Sequence, residues 1–466
     1  MLRAAAGGLI ATIIATPANV RTRGQLLRVL GLGFGVAVGV GGVVGGGILR
    51  APGSALDHAP LPWLVLLLWA LAGGQALLGA NVVAEVMTSV PKSGGIFNVA
   101  GRAFGNFGAL LVGWSDWLIN TASVAALSIA AAEFLAIIDP ALTPYISVLG
   151  AAVALALSLL NWLGVKEGKF AQIITTAAKG ALLVAIIILI LLFKPAPALA
   201  AKPVAAVGLV GIVVAYQLIV GAYSGWTSPA YFAEEDANPA RNIPRALLVS
   251  ILTVAAIYLT MNAALLYALP VGVMRSAELP VSIAIGNIFG HLSLIVVAAV
   301  AIVTLIGCNN ASIMIATRIL HGLARDGFVP RAISRVNGGG TPDLALAATG
   351  ALAIVLALTG RFETIFLITA ALTVFVNAMI DAALFKLRWS EPDLPRPYRS
   401  LGYPWLPGLA LVLDLALVVA FLAADLKSAI YMIAALALCV PMTLVANKRR
   451  QRLEINASME LSPEAL

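Results

Sequence analysis

Long apolar runs separated by short polar stretches recur along this chain. A run of about 20 apolar residues crosses ~30 Å of hydrocarbon as a helix. The pattern predicts twelve such spans, at 29–49, 62–90, 105–136, 143–164, 169–193, 205–232, 245–268, 284–322, 344–360, 363–388, 404–424 and 427–447. The eighth is too long for one straight crossing, so it is expected to tilt or to extend beyond the bilayer. Two runs are interrupted: Gly41-Gly42-Val43-Val44-Gly45-Gly46-Gly47-Ile48 breaks the first and Ser224-Gly225-Trp226-Thr227-Ser228-Pro229 the sixth. Glycine permits unusual dihedrals and proline removes a donor, yet irregular backbone at membrane depth survives only when buried in protein or lining a cavity. Interruptions at corresponding positions of two halves point to a transporter's central site.

Spans one to five and six to ten have similar extents, and each set begins with a broken helix. An odd number of spans per set inverts the second set. The expected fold is an all-α polytopic membrane protein, a five-plus-five inverted repeat with two appended helices. Its divisions are a tail at 1–28, repeats at 29–193 and 205–388, appended helices at 404–447 and a second tail at 448–466.

Composition agrees: of 466 residues, 61% are hydrophobic and 11% charged, against about 25% charged in soluble domains. The net charge of +8 does not point to nucleic acid, because the basic residues fall mostly in alternate short loops. With the N-terminus inside, 22 of the 29 Lys and Arg are cytoplasmic, six are external and Lys179 lies within a span. That bias predicts both termini in the cytoplasm and a protein of the cytoplasmic membrane. Residues 4–16 are apolar but too short to span, and are read as a cytoplasmic or interfacial tail in preference to a cleaved signal. Cys308 and Cys439 both lie in apolar segments, which argues against a disulfide framework or a metal pair. Neither a phosphate-binding loop nor His-Glu-x-x-His occurs, so no metal or other cofactor is implied, and uphill movement would need an ion gradient or exchange.

The motifs carry a resemblance. Gly45-Gly46-Gly47-Ile48, Pro91-Lys92-Ser93-Gly94-Gly95 and Arg102-Ala103-Phe104-Gly105 are similar to the amino acid–polyamine–organocation transporter superfamily. So are Tyr223-Ser224-Gly225-Trp226, Glu234-Glu235, and Asn238-Pro239 with Arg241-Asn242-Ile243-Pro244-Arg245. Ala324-Arg325-Asp326-Gly327-Phe328-Val329-Pro330, Gly340-Thr341-Pro342 and Pro395-Arg396-Pro397-Tyr398 complete the set, in register over roughly 28–447. Within the superfamily the chain resembles L-type and related bacterial amino acid permeases. The resemblance implies a leucine-transporter-like fold that carries amino acids by alternating access.

An amino acid needs donors for its carboxylate and acceptors for its ammonium, and a broken helix supplies both at its free ends. By resemblance, Gly45, Gly46 and Gly47 would bind the carboxylate through main-chain N–H groups, with Val43 beside them. The alternative reading is tight packing, since Gly35-x-x-x-Gly39 and Gly41-x-x-x-Gly45 are small-residue interface patterns. The carbonyls of Gly221, Ala222 and Ser224 are candidates for the ammonium. Relatives often carry an aromatic gate where Gly221 stands, a departure that implies a roomier pocket or another closing residue. Trp226 either contacts a substrate side chain or anchors the bundle. Glu234 and Glu235 form either an inner gate, through Arg241 or Arg245, or a solvated charged loop.

Lys179 lies ten positions past Lys169, hence ~15 Å deep at the helical rise. A charge there costs at least ~2.5 kcal/mol by insertion scales. The resemblance assigns it to the position where sodium-coupled relatives hold a cation. It would substitute for that ion or exchange a proton during transport; uncoupled exchangers of the family carry the same lysine. Asp116, Asn120 and Val124 share one face of the third span. Resemblance turns Asn120 and Val124 toward the substrate, while Asp116 would favour a cationic side chain, relay a proton, or pair with a polar neighbour. Asn309, Asn310, Asn377 and Asp381 are read as interhelical hydrogen-bonding groups.

The expected function is secondary transport of amino acids, neutral ones because no side-chain charge falls at the aligned breaks, with protons as a possible second cargo. A cationic amino acid or polyamine carrier using Asp116 is the alternative. A nutrient sensor on the same scaffold is more remote, because 19 residues after the last span offer no output domain. No acid–base or metal constellation of an enzyme is visible. The loop at Asp139-Pro140 lacks the cysteine that tethers a heavy chain in some family members, so no disulfide-linked partner is implied.

Overall fold

The computed structural model describes residues 30–45, 47–92, 94–163, 165–193, 208–277, 279–424, 426–437, 439–444, 446 and 447. Both expected tails and Gly46 lie outside these residues. The described chain is helical, apart from turns and one isolated parallel bridge between Leu30 and Asp236. The helices are α1 (Leu32–Val43), α2 (Gly47–His58), α3 (Pro62–Ser89), α4 (Phe97–Ile138), α5 (Ile146–Leu163), α6 (Val165–Leu192) and α7 (Leu209–Tyr223). They continue with α8 (Pro239–Ala268), α9 (Ser293–Arg325), α10 (Asp343–Leu358), α11 (Phe362–Ser390), α12 (Trp405–Ala424) and α13 (Leu426–Ala437). Seven helical stretches are long and apolar enough to cross a membrane, and the bent pair α1 and α2, inclined by 43°, makes an eighth.

Helix starts follow local chemistry. Pro62 and Pro239 open α3 and α8 at positions whose N–H groups would lack a helical partner anyway. Ahead of α8, the Asp236 carboxylate accepts the Asn238 N–H and the Asn242 side-chain amide, each at 2.7 Å. Several expected boundaries change. The first break is followed by a full second half-helix to His58, so the element is longer than 29–49. The eighth run starts later than expected: short helices at Pro280–Ala284 and Gly286–Phe289 and a turn at Gly290, with φ +54°, precede the 33-residue α9. The third begins at Phe97 and bends at Gly105, whose φ of +75° is outside the helical range.

The core is built on α4 and α9, with α11 against α4, α3 against α8 and α10 against α5. The small-residue stripe of α1 packs on α8: a Cβ on Gly35 would meet the Ala246 Cβ at 2.9 Å, and one on Gly39 the Ser250 Cβ at 2.7 Å. The packing reading of Gly35-x-x-x-Gly39 therefore holds for this part of α1.

Candidate functional site

The two interruptions lie against each other. After α1, Val44 leaves the helix with ψ 92°; after α7, Ser224 is extended at ψ 147° and Gly225 takes φ +98°. Glycine suits that dihedral, and it is also required by space: a Cβ on Gly225 would lie 2.5 Å from the Gly42 carbonyl oxygen. Across the same junction, a Cβ on Gly47 would meet the Ala222 Cβ at 3.3 Å. Backbone thus approaches backbone where both helices have unwound.

The carbonyls released by the first break are taken by side chains from three other helices. Lys179 of α6, fully buried, donates from Nζ to the Gly41 and Val44 carbonyls at 2.6 and 2.8 Å. Two charge-assisted bonds of about 1.5–3 kcal/mol each, at the negative end of α1, offset an insertion cost of about 2.5–3.5 kcal/mol. The lysine is therefore held in place. The Cys308 thiol of α9 lies 3.0 Å from the Gly41 carbonyl and 3.7 Å from Lys179 Nζ. Tyr258 of α8 reaches the Val43 carbonyl at 3.1 Å and the Ala222 carbonyl at 3.2 Å, joining the two breaks through one hydroxyl. A neutral chain continues outward. Thr176 donates to the Ala37 carbonyl (2.9 Å), Asn310 to Gln172 (2.9 Å) and Asn161 to Asn310 (2.8 Å).

The second break is occupied less completely. The Gly221 carbonyl accepts the Ser224 N–H at 3.2 Å, while the Ser224 side chain is exposed. Gly221, Ser224 and Trp226 line a cavity of about 250 Å³ together with Gln75, Asn377 and Asp414. The cavity lies between α3, α7, α11 and α12, and Val43, Gly45, Gly47, Asn120 and Val124 are not on its wall. Trp226 both borders the cavity and anchors the bundle, since its ring rests on Gly79, where a Cβ would meet it at 2.7 Å. Val124 is fully buried, and its carbonyl accepts Asn309 at 3.3 Å. Asn120 turns back on its own helix, donating to the Asp116 carbonyl (2.9 Å) and carboxylate (3.1 Å). Tyr231 donates to the same Asp116 Oδ1 at 3.0 Å, a polar pairing at one oxygen, while Asp116 Oδ2 is buried without a hydrogen-bond partner among the described residues.

Ahead of α1, Leu30 pairs with the loop after α7: Leu30 N–H to the Glu235 carbonyl and Ala237 N–H to the Leu30 carbonyl, both at 3.0 Å. Glu235 forms a buried ion pair with Arg318 of α9, and the Arg318 guanidinium lies 4.5 Å over the Phe232 ring. Glu234 meets Arg325 of α9 at 2.8 Å. The expected partners, Arg241 and Arg245, are exposed on α8. Nearness in sequence misled here: the three-ten turn Ser228–Phe232 carries the glutamates onto the end of α9.

The sequence profile described as amino acid permease matches residues 25–445. This chain belongs to the amino acid permease family. The permease is 28% identical to the serine/threonine exchanger SteT of Bacillus subtilis, over 83% of this chain and 89% of that protein. It is 30% identical to the human b(0,+)-type amino acid transporter 1, over 80% and 79%, respectively. The branched-chain amino acid permease BcaP of Bacillus subtilis matches at 26% over 84% and 88%. The protein is an integral membrane amino acid permease, as the motifs implied.

Tyr258, Cys308, Gln172 and Gln75 are the site groups of this permease that sequence reasoning missed, together with Asp414. Asp414 had a usable signal, an ionisable residue inside an apolar run. The others had none, because a tyrosine, cysteine or glutamine in a helix has many ordinary uses.

Proposed function

We propose that this permease moves neutral amino acids across a cytoplasmic membrane by alternating access, as a proton symporter or an amino acid exchanger. The observation that carries the reading is the backbone junction of the two breaks, bridged by Tyr258 and capped by Lys179. In this reading the twelve spans form a five-plus-five inverted repeat, 29–193 and 205–388, with 404–447 appended and tails at 1–28 and 448–466 in the cytoplasm. Gly45, Gly46 and Gly47, at the first interruption of the sequence, would offer N–H groups to a carboxylate. The Gly221, Ala222 and Ser224 carbonyls keep lone pairs for an ammonium, and Val43, Trp226, Asn120 and Val124 shape the surroundings. Lys179 ties the first break to α6, and Glu234 and Glu235 close the cytoplasmic end. The lipid bilayer is the partner environment, and no disulfide-linked heavy chain or cofactor is needed.

Neutral substrates are favoured because Asp116, the carboxylate required by the cationic alternative, is already engaged by Tyr231 and Asn120. The named cargoes of SteT and BcaP, serine, threonine and branched-chain amino acids, are neutral. Asp414 on the cavity wall is the observation that supports a cationic amino acid or polyamine instead. Uptake into liposomes loaded with single amino acids, with and without an inward proton gradient, tests the reading. Gradient-driven accumulation in empty vesicles means symport; uptake only into loaded vesicles means exchange. Accumulation of arginine or putrescine, but not serine or leucine, would overturn the neutral assignment.

A further inference from the structure

Away from the junction of the breaks, two carboxylic acids meet inside the bundle. Asp381 of α11 and Asp414 of α12 are 2% and 6% exposed, and the two carboxyl groups are close enough to act on each other. Each stands nine residues from a helix end, Ser390 and Trp405 respectively, hence ~14 Å along the axis. Gln75 of α3 donates to Asp414 Oδ1 at 2.7 Å, and its own carbonyl accepts the Tyr216 hydroxyl of α7 at 2.6 Å. The two bonds hold the Gln75 amide between Asp414 and Tyr216. Asp381 Oδ2 is buried and receives no hydrogen bond from any described donor of the protein.

Without a proton between them, Asp381 and Asp414 would be two adjacent buried carboxylates. Like charges this close cannot both persist in a low-dielectric interior. Among the described residues, the groups around the pair offer no other neutralisation. The charged or titratable groups acting on it are its own two carboxyls and the Tyr216 phenol; α3 contributes the neutral Gln75. From α4 and α13, which also pack on α11, no charged group meets either carboxyl among the described residues.

We infer that Asp381 and Asp414 form a proton-binding site of this permease, holding one shared proton at a place separate from Lys179. Asp414 also lines the cavity that Ser224 and Trp226 face, which gives the proton a route to the pair. The step is a single transfer: one proton from cavity water joins the dianionic pair, and its release restores two carboxylates. Those two charges would repel α11 from α12 and pull on Gln75. Through Tyr216, this load falls on the helix that unwinds at Ser224. Proton occupancy and the setting of α7 are therefore coupled, and the coupling is reciprocal. The inference goes beyond the transport assignment, because occupancy can be read without any substrate.

The experiment is infrared difference spectroscopy of the full-length protein in lipid nanodiscs, following the protonated-carboxyl band through a pH titration in light and heavy water. Wild type should show one protonated carboxyl per chain from this pair. That intensity should be absent from both Asp381→Asn and Asp414→Asn, where the remaining acid accepts an amide hydrogen and ionises. The Asp414→Glu variant should keep the band, shifted in position, and guards against a folding defect in the amides. A band unchanged in both amide variants would overturn the inference. So would its displacement by sodium chloride at fixed pH, which would make the pair a metal-cation site. In liposomes, Asp381→Asn should flatten the pH dependence of uptake, and a wild-type pH profile would remove the coupling.

Discussion

The two breaks have the same cause, glycines in an apolar helix, but different fates. At the end of α1 the freed carbonyls of Gly41, Val43 and Val44 are met by Lys179, Cys308 and Tyr258, all buried. At the end of α7 the Tyr258 hydroxyl meets Ala222, but Ser224 is exposed and its neighbours border a cavity. The first break is thus a fastened joint and the second an open one. The difference shows that unwinding a helix in lipid does not by itself create a ligand site. Free backbone groups serve a ligand only where the rest of the bundle has not already claimed them. Lys179 is the decisive claimant, since its Nζ takes both the Gly41 and the Val44 carbonyls at the end of α1.

Unfastening the first joint should have the largest effect. Lys179→Ala removes two charge-assisted bonds, about 3–6 kcal/mol together, and leaves the Gly41 and Val44 carbonyls without their donor. Thermal unfolding in detergent should move down sharply and liposome uptake should fall at least ~10-fold. Next is Gly225→Ala, which forces a Cβ toward the Gly42 carbonyl at φ +98°; strain of about 1–3 kcal/mol should appear as lost uptake with membrane insertion retained. Tyr258→Phe uncouples the joints without changing the ring. A loss of about 1–2 kcal/mol and a changed substrate KM would separate bridging from mere packing. Ser224→Ala should be the mildest, within about 0.5 kcal/mol in stability, with its effect confined to substrate binding. If Ser224→Ala destabilised the protein more than Tyr258→Phe, the contrast between fastened and open breaks would be wrong.

Membrane helices are unusually legible because lipid imposes one rule on every span. The apolar runs, the paired interruptions and the need of Lys179 for buried partners could be read from residue type and spacing. The end of the first element could not, since Pro52 lies inside α2 and the run becomes partly polar before His58. The eighth run misled for the opposite reason. Continuous hydrophobicity hid the turn at Gly290, because a buried turn and a buried helix are equally apolar.

What the sequence determined alone was therefore what hydrophobicity and local backbone chemistry control: a polytopic helical membrane protein, two glycine-rich breaks, and a buried lysine requiring compensation. Only the tertiary structure decided the partners. Lys179 and Gly41 are 138 residues apart, Tyr258 and Val43 are 215, and Glu235 and Arg318 are 83. Periodicity assigns a residue to a face of its own helix, and the nearest opposite charge in sequence is then the natural guess, as it was for Arg241 and Arg245. Which distant helix meets that face depends on how all the helices pack at once, and in a low-dielectric interior that packing determines which polar groups are satisfied and which remain open to a ligand.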